Sequence, residues 1–228
     1  AALRWWRLPV EGVGLARMEF IINESIQIHP MALAQFQQVK NPRERKKILT
    51  LTQGYEDKTQ FFIDRLASGI AKIASLYHPL PTIVRMSDFK TNEYAQLIGG
   101  KEFESVEENP MLGFRGASRY YSPKYQAGFE LECLAIKKVR EEIGFDGVII
   151  MIPFCRTVKE ALCVLDVLEQ YGLKKGDKGL KIYMMAEIPS NIILAKEFSK
   201  IFDGFSMGFS FSLFAFHFFS PRFWWCAL

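Results

Sequence analysis

Apolar segments alternate with stretches of helical periodicity through most of the chain, the pattern of repeated βα units. Gly14 to Phe20 reads as a first strand and Thr82 to Met86 as a second, with a short third strand expected at about Gly113 to Gly116. Gly147 to Pro153 is a continuous apolar run, as expected of a parallel strand covered on both faces. Lys181 to Glu187 and Gly204 to Gly208 bring the strands to six. Between them, Phe62, Leu66, Ile70 and Ile73 share one face of a helix over Lys58 to Tyr77. Leu131, Ala135, Val139 and Ile143 do so over Phe129 to Ile143, as do Val158, Ala161, Leu162, Leu165 and Leu168 over Val158 to Tyr171. Weaker helical signals lie at His29 to Phe36 and Asn191 to Lys200. Six βα units fit either an open doubly wound sheet or most of a (β/α)8 barrel, whose usual size is about 250 residues. Periodicity alone does not choose between them.

Composition narrows the class without naming a function. The 228 residues suffice for one larger domain, and 49% hydrophobic with 24% charged residues excludes disordered, collagen-like and coiled-coil chains. The net charge of +4 is modest, and the basic runs Pro42 to Lys47 and Lys137 to Glu142 are interleaved with acids. They read as solvated faces, with no nucleic-acid partner expected. Cys133, Cys155, Cys163 and Cys226 form neither a C-x-x-C pair nor a secreted disulfide framework. Reduced thiols in a cytoplasmic protein are the expectation, with Cys133, Cys155 and Cys163 as buried structural thiols. His29, His78 and His217 lack metal-ligand spacing and read as structural or surface residues, and no signal-peptide pattern is seen at the first residues.

The chemistry concentrates in two segments. In Glu108 to Tyr121, ENPMLGFRGASRYY, Gly113 and Gly116 bracket Arg115, so the guanidinium can approach an anionic ligand's carboxylate or phosphate bidentately; the alternative for this segment taken alone is that Arg115 ends a strand and pairs with a structural carboxylate. In Ile83 to Tyr94, IVRMSDFKTNEY, an apolar strand ends in Arg85, followed by Ser87, Asp88 and Lys90. Two strands each ending in an arginine point to one shared anion site. Arg119, Lys90 and Arg156 are expected to form salt bridges. Glu187 closes the apolar strand IYMMAE, and its carboxylate reads either as a group at the barrel mouth or as a charge partner for the helix beginning near Ser190. No G-x-x-x-x-G-K-[ST] phosphate loop occurs.

These segments, with LPVEGVGLARMEFIIN, VIIMIPFCRT, MMAEIPSNIILAKEF and FDGFSMG, resemble the pyruvate- and phosphoenolpyruvate-binding domain of phosphoenolpyruvate synthase (pyruvate, water dikinase) over about residues 8 to 208. RMSDFKTNEY and GFRGASRYY look more like the synthase than like pyruvate, phosphate dikinase or enzyme I of the phosphotransferase system. The resemblance implies an incomplete TIM-barrel-type α/β fold in which Arg85 and Arg115 bind the substrate's phosphoryl and enolate oxygens and Glu187 binds Mg²⁺. It implies a reaction in which phosphoenolpyruvate forms from pyruvate and a phosphohistidine charged by ATP, both in domains elsewhere. By alignment, the family's second carboxylate falls at Phe211 and its neighbouring asparagine at Ser210, so the metal site is expected to be weakened. The family's proton-handling cysteine has no counterpart, because Cys226 lies in an unrelated context. No catalytic residue is therefore assigned.

Both ends depart from that pattern. All four tryptophans, Trp5, Trp6, Trp224 and Trp225, lie near a terminus, in an atypical segment 1–7 and an aromatic tail 209–228. The uncharged run Phe205 to Pro221 is shorter than the roughly 20 apolar residues a membrane anchor needs, so no membrane partner is expected. An altered reading frame or a truncated gene product is the expected origin of the tail. Its exposed aromatics would favour homo-oligomerisation, and the alternative to an enzyme domain is a non-enzymatic degenerate fragment acting as an association module through this tail.

Overall fold

The computed structural model of the protein describes residues 9–207. In chain order, β1 (Val13–Arg17) is followed by α1 (Met18–Ile21), α2 (Pro30–Ala34), α3 (Pro42–Leu51) and α4 (Lys58–Ser75). Next come β2 (Thr82–Arg85), α5 (Thr91–Tyr94), α6 (Ala117–Tyr120), α7 (Gln126–Lys137), β3 (Val148–Ile152) and α8 (Val158–Gln170). The last elements are β4 (Ile182–Ala186), α9 (Pro189–Ile193), α10 (Ala195–Phe198) and β5 (Gly204–Met207).

Every strand pair is parallel, and the sheet order is β1-β2-β3-β4-β5. A doubly wound sheet reverses its strand order at a switch point. A barrel adds each strand beside the last, and that is the order here, so the architecture is an α/β half-barrel of the TIM type. β3, Val-Ile-Ile-Met-Ile, is buried throughout. β2 and β4 alternate, burying Thr82 and Val84, and Ile182, Met184 and Ala186, while Arg85, Tyr183 and Met185 stay half-buried on the other face. Phe62, Leu66 and Ile70 of α4, Phe129 and Ile136 of α7, and Ala161 and Val164 of α8 are fully buried. Each large apolar side chain so buried contributes about 1.5–3 kcal/mol.

The structure corrects several sequence expectations. Five strands, not six, are described, because Gly113 to Gly116 forms a bend instead of a strand. Phe114 N donates to the Glu107 carboxylate at 2.9 Å rather than to a neighbouring strand. Gly116 then adopts φ 56°, ψ −137°, which ends extended structure and starts α6. The charged run at Pro42 hides a ten-residue helix, α3, with Pro42 in its first turn and Asn41 Oδ1 accepting from Arg43 N at 3.0 Å. The pattern over Phe129 to Ile143 splits into α7 and a π-helical turn over Lys138–Ile143, and Asn191 to Lys200 splits into α9 and α10. Leu162 and Ile143 are exposed, and Cys163 is only partly covered while Cys133 and Cys155 are buried. No helix among the described residues is long and apolar enough to cross a membrane. The segment 1–7, the tail 209–228, and with it Ser210, Phe211, His217 and Cys226, lie outside the described residues.

Candidate functional site

Parallel strands deliver all their carboxyl-terminal ends to one edge of the sheet, where barrels place their sites. A cavity of about 720 Å³ opens there, lined by Arg17, Glu19, Arg85, Asp88, Arg115 and Glu187 among others. Arg17 ends β1 and Arg85 ends β2, and the two are direct partners in the ladder. Glu187 follows β4, and Arg115 arrives from the bend before α6. Arg85, Arg115 and Glu187 thus share one cavity although they come from three separate parts of the chain.

Two of the arginines are already engaged by acids. Arg115 binds Asp88 through both Nε (3.0 Å) and NH2 (2.5 Å), a bidentate pair that is nearly buried. Arg85 NH2 donates to Glu19 Oε1 at 2.6 Å, and the same oxygen accepts from Asp88 N at 2.9 Å. Arg85 Nε and Glu19 Oε2 are buried without a hydrogen-bond partner, so this pair retains one free donor and one free acceptor. Burial raises the Glu19 carboxyl against the opposing pull of Arg85. Arg17 forms no ion pair among the described residues and lies 5.9 Å from the Phe20 ring. Lys47, which also lines the cavity, likewise forms no ion pair among the described residues.

Glu187 differs from the other two acids. Its Oε1 accepts from Phe154 N at 2.9 Å, and burial raises its carboxyl while that hydrogen bond and the nearby arginines pull the other way. No ion pair neutralises it among the described residues. At the start of α9, Asn191 Oδ1 accepts from Glu187 N and Ile188 N. Phe154 is itself held at φ 47°, a left-handed conformation that costs a bulky residue on the order of 1–3 kcal/mol. Its ring carries the Arg115 guanidinium at 4.4 Å and that of Arg156 at 4.6 Å. Gly116 makes this approach possible: a Cβ there would lie 2.7 Å from Phe154 Cβ and 2.8 Å from Pro153 O.

The remaining cations are structural, as expected from their settings. Arg119 is fully buried and paired with Glu104 through NH1 (2.7 Å) and NH2 (2.6 Å). Lys90 pairs with Glu93 at 3.0 Å. Arg156 lies 3.8 Å from Glu160 and donates to the carbonyls of Leu112 and Gly113. His29 is buried, its imidazole lowered by burial against the opposing pull of Glu104, with Nδ1 accepting from Met31 N and Nε2 bonded to Glu104. Arg17, Glu19 and Asp88 are the site residues that sequence reasoning did not assign. The strand-end rule that selected Arg85 applies equally to Arg17.

A parallel half-barrel with arginines and a carboxylate outside any ion pair among the described residues gathered at its strand ends defines an α/β domain of the barrel class with a charged strand-end cavity. The family model for PEP-utilising enzymes, PEP-binding domain, matches residues 2–210. The chain belongs to that family. It is similar to the phosphoenolpyruvate synthases of Synechocystis sp. (55% identity over 201 residues) and Escherichia coli K12 (52% over 201 residues), covering 88% of this chain in both cases. It is 49% identical over 202 residues to that of Helicobacter pylori, covering 89% of the chain. The matched region spans 25% of the length of each of these three relatives.

Proposed function

We propose that this chain is the phosphoenolpyruvate- and pyruvate-binding part of a phosphoenolpyruvate synthase, with the ligand's anionic groups taken by Arg85, Arg115 and Arg17. The observation that carries this reading is the convergence of those arginines and Glu187 on one cavity. Five cationic and four acidic side chains line it, an excess of one positive charge. A small dianion entering the cavity meets Arg17, which forms no ion pair among the described residues, and Arg85 still has an unpaired Nε. The Asp88 and Glu19 carboxylates hold the other arginine nitrogens in fixed directions, so the site is oriented before the ligand arrives.

Glu187 suits a divalent cation that takes one protein carboxylate and completes its shell with substrate oxygens and water, the habit of Mg²⁺. Among the described residues its Oε2 accepts no hydrogen bond, while the carboxylates of Glu19 and Asp88 are held by arginines. Among the described residues no group of three His, Cys, Asp or Glu side chains gathers as a metal cluster, so a metal here would rely on the ligand. When bound, such an ion would polarise the oxygen that becomes an enolate. In the complete synthase, other domains would supply the phosphohistidine and the ATP that charges it.

Calorimetry of the full chain with oxalate, a planar stand-in for the enolate of pyruvate, tests the reading. Mg²⁺-dependent binding that weakens at least tenfold in Arg85→Met is expected. Folded protein giving no heat with oxalate and Mg²⁺ would overturn it.

A further inference from the structure

Behind the cavity, a ring of four oxygen atoms links three tyrosine- and serine-type hydroxyls to a carboxyl group that no cation among the described residues pairs with. Glu132 of α7 is fully buried. Its Oε1 lies 2.5 Å from Ser87 Oγ and 2.8 Å from the Tyr125 hydroxyl. The Tyr94 hydroxyl closes the ring, 2.6 Å from Ser87 Oγ and 2.6 Å from the Tyr125 hydroxyl. Each of these four oxygen-to-oxygen contacts is at hydrogen-bond length and needs one hydrogen between its atoms. Ser87, Tyr94 and Tyr125 bring one hydroxyl hydrogen each. An ionised Glu132 would leave one contact with two oxygens and no hydrogen. A carboxylic acid supplies the fourth, and the bonds then run in one direction round the ring, each strengthening the next.

We propose that Glu132 is held as a neutral carboxylic acid and acts, through Ser87, as a positioning residue of the cavity. Ser87 lies between Arg85 and Asp88 in sequence, and its backbone is fixed from both sides. Its N–H donates to Glu132 Oε2 at 3.1 Å, and its carbonyl accepts from the Tyr120 hydroxyl at 2.8 Å. The ring therefore sets where β2 ends, and with it the directions of the Arg85 and Asp88 side chains. Its surroundings agree with a neutral acid. The titratable groups around it are Tyr94 of α5, Tyr120 of α6, Tyr125 before α7, Cys133 beside it and, through space, Glu19, none of them cationic. Arg119, a cation of the packed α6, lies over the Tyr94 and Tyr125 rings and is bound to Glu104. Burial raises the Glu132 carboxyl to about 7. The positioning role for ligand binding rests on the proposed anion site, whereas the protonation state does not.

Infrared spectroscopy of the full chain at about pH 6 tests the protonation state, with the carboxylic-acid carbonyl band assigned by its loss in Glu132→Gln. Tyr94→Phe removes one ring oxygen and leaves two hydroxyl donors, enough to satisfy an ionised carboxylate. Ionisation of the band is therefore expected about one pH unit or more lower in that variant, a shift that neither Glu19 nor Glu187 would give and that serves as the assignment should Glu132→Gln fail to fold. Amide exchange at Ser87 and Asp88 reads the positioning: about tenfold faster in Glu132→Leu, and restored in Glu132→Gln, which keeps a neutral donor and acceptor. The oxalate dissociation constant should follow the same order, rising in Glu132→Leu and recovering in Glu132→Gln. A parent protein without the acid band, a Tyr94→Phe variant with unchanged titration, or exchange unaffected by Glu132→Leu would each overturn the proposal. Absence of oxalate binding in the parent would instead count against the proposed function, because the infrared and exchange results do not depend on it.

Discussion

Replacing Glu104 with glutamine should unfold much of this protein's margin of stability. Arg119 is fully exposed to none of the solvent and spends its guanidinium on Glu104 and on the Phe114 carbonyl, to which Nε donates at 2.8 Å. The rings of Tyr94 and Phe114 cover it at 4.4 and 4.5 Å, so no water replaces a lost partner. Glu104 Oε1 also bonds His29 Nε2 at 3.0 Å, tying α2 to the same centre. Removing one charge from a buried pair costs about 3–5 kcal/mol, because the other charge remains desolvated. Glutamine keeps one acceptor oxygen, which places the expected loss near the lower end, about 3 kcal/mol. Against a total stability of about 5–15 kcal/mol for a typical domain, that is a large shift. Urea unfolding followed by far-ultraviolet circular dichroism measures it. Adding Arg119→Met removes the stranded cation, so the double variant should recover at least about 1 kcal/mol relative to additivity. A single-variant loss within about 0.5 kcal/mol, or strict additivity in the cycle, would refute the reasoning.

Further outcomes follow from the same geometry. Glu187→Gln should leave folding intact and remove the Mg²⁺ dependence of oxalate binding; calorimetry with and without the ion separates the two. Gly116→Ala forces a Cβ against Phe154 Cβ and the Pro153 carbonyl at positive φ, so a loss of about 1–3 kcal/mol is expected in urea unfolding. The Glu132 carboxyl is raised from 4.5 to about 7, so the folded state holds its proton longer than the unfolded state. Its contribution is complete below about pH 4.5 and is lost as pH rises towards 7, a fall of about 3 kcal/mol. Comparing Glu132→Gln with the parent at about pH 5 and pH 8 isolates that term, since the variant should lack the decline. His29, lowered by burial, works in the opposite sense, with stability lost as pH falls below 6.5.

The repeating units were readable because buried parallel strands and one-faced helices impose strong periods: β3 and α8 lie almost where the apolar runs place them. Arg85 and Glu187 were legible for a related reason, as polar residues that end apolar strands. Arg115 was found by its glycines, yet its strand was not real, because a short apolar run flanked by glycines looks the same whether it joins a ladder or bends around a carboxylate such as Glu107. The paired acids Glu19 and Asp88 were out of reach, since which carboxylate meets which guanidinium depends on contacts between residues 66 and 27 positions apart. Glu132 was hidden for the opposite reason. A charged letter on an amphipathic helix reads as solvent-facing, and only the Ser87 and Tyr125 hydroxyls on its carboxyl, joined to each other through Tyr94, reveal a buried acid.

The pairing of Arg17 with Arg85 across β1 and β2 gives ligand binding a second meaning. Side chains alternate between faces at every residue of a strand, so sliding β1 by one position would turn Arg17 towards the helices and bring Met18 to the cavity. An anion that binds through both arginines therefore discriminates between correctly and incorrectly aligned sheets, and oxalate titration measures the fraction of molecules whose first two strands have docked in register.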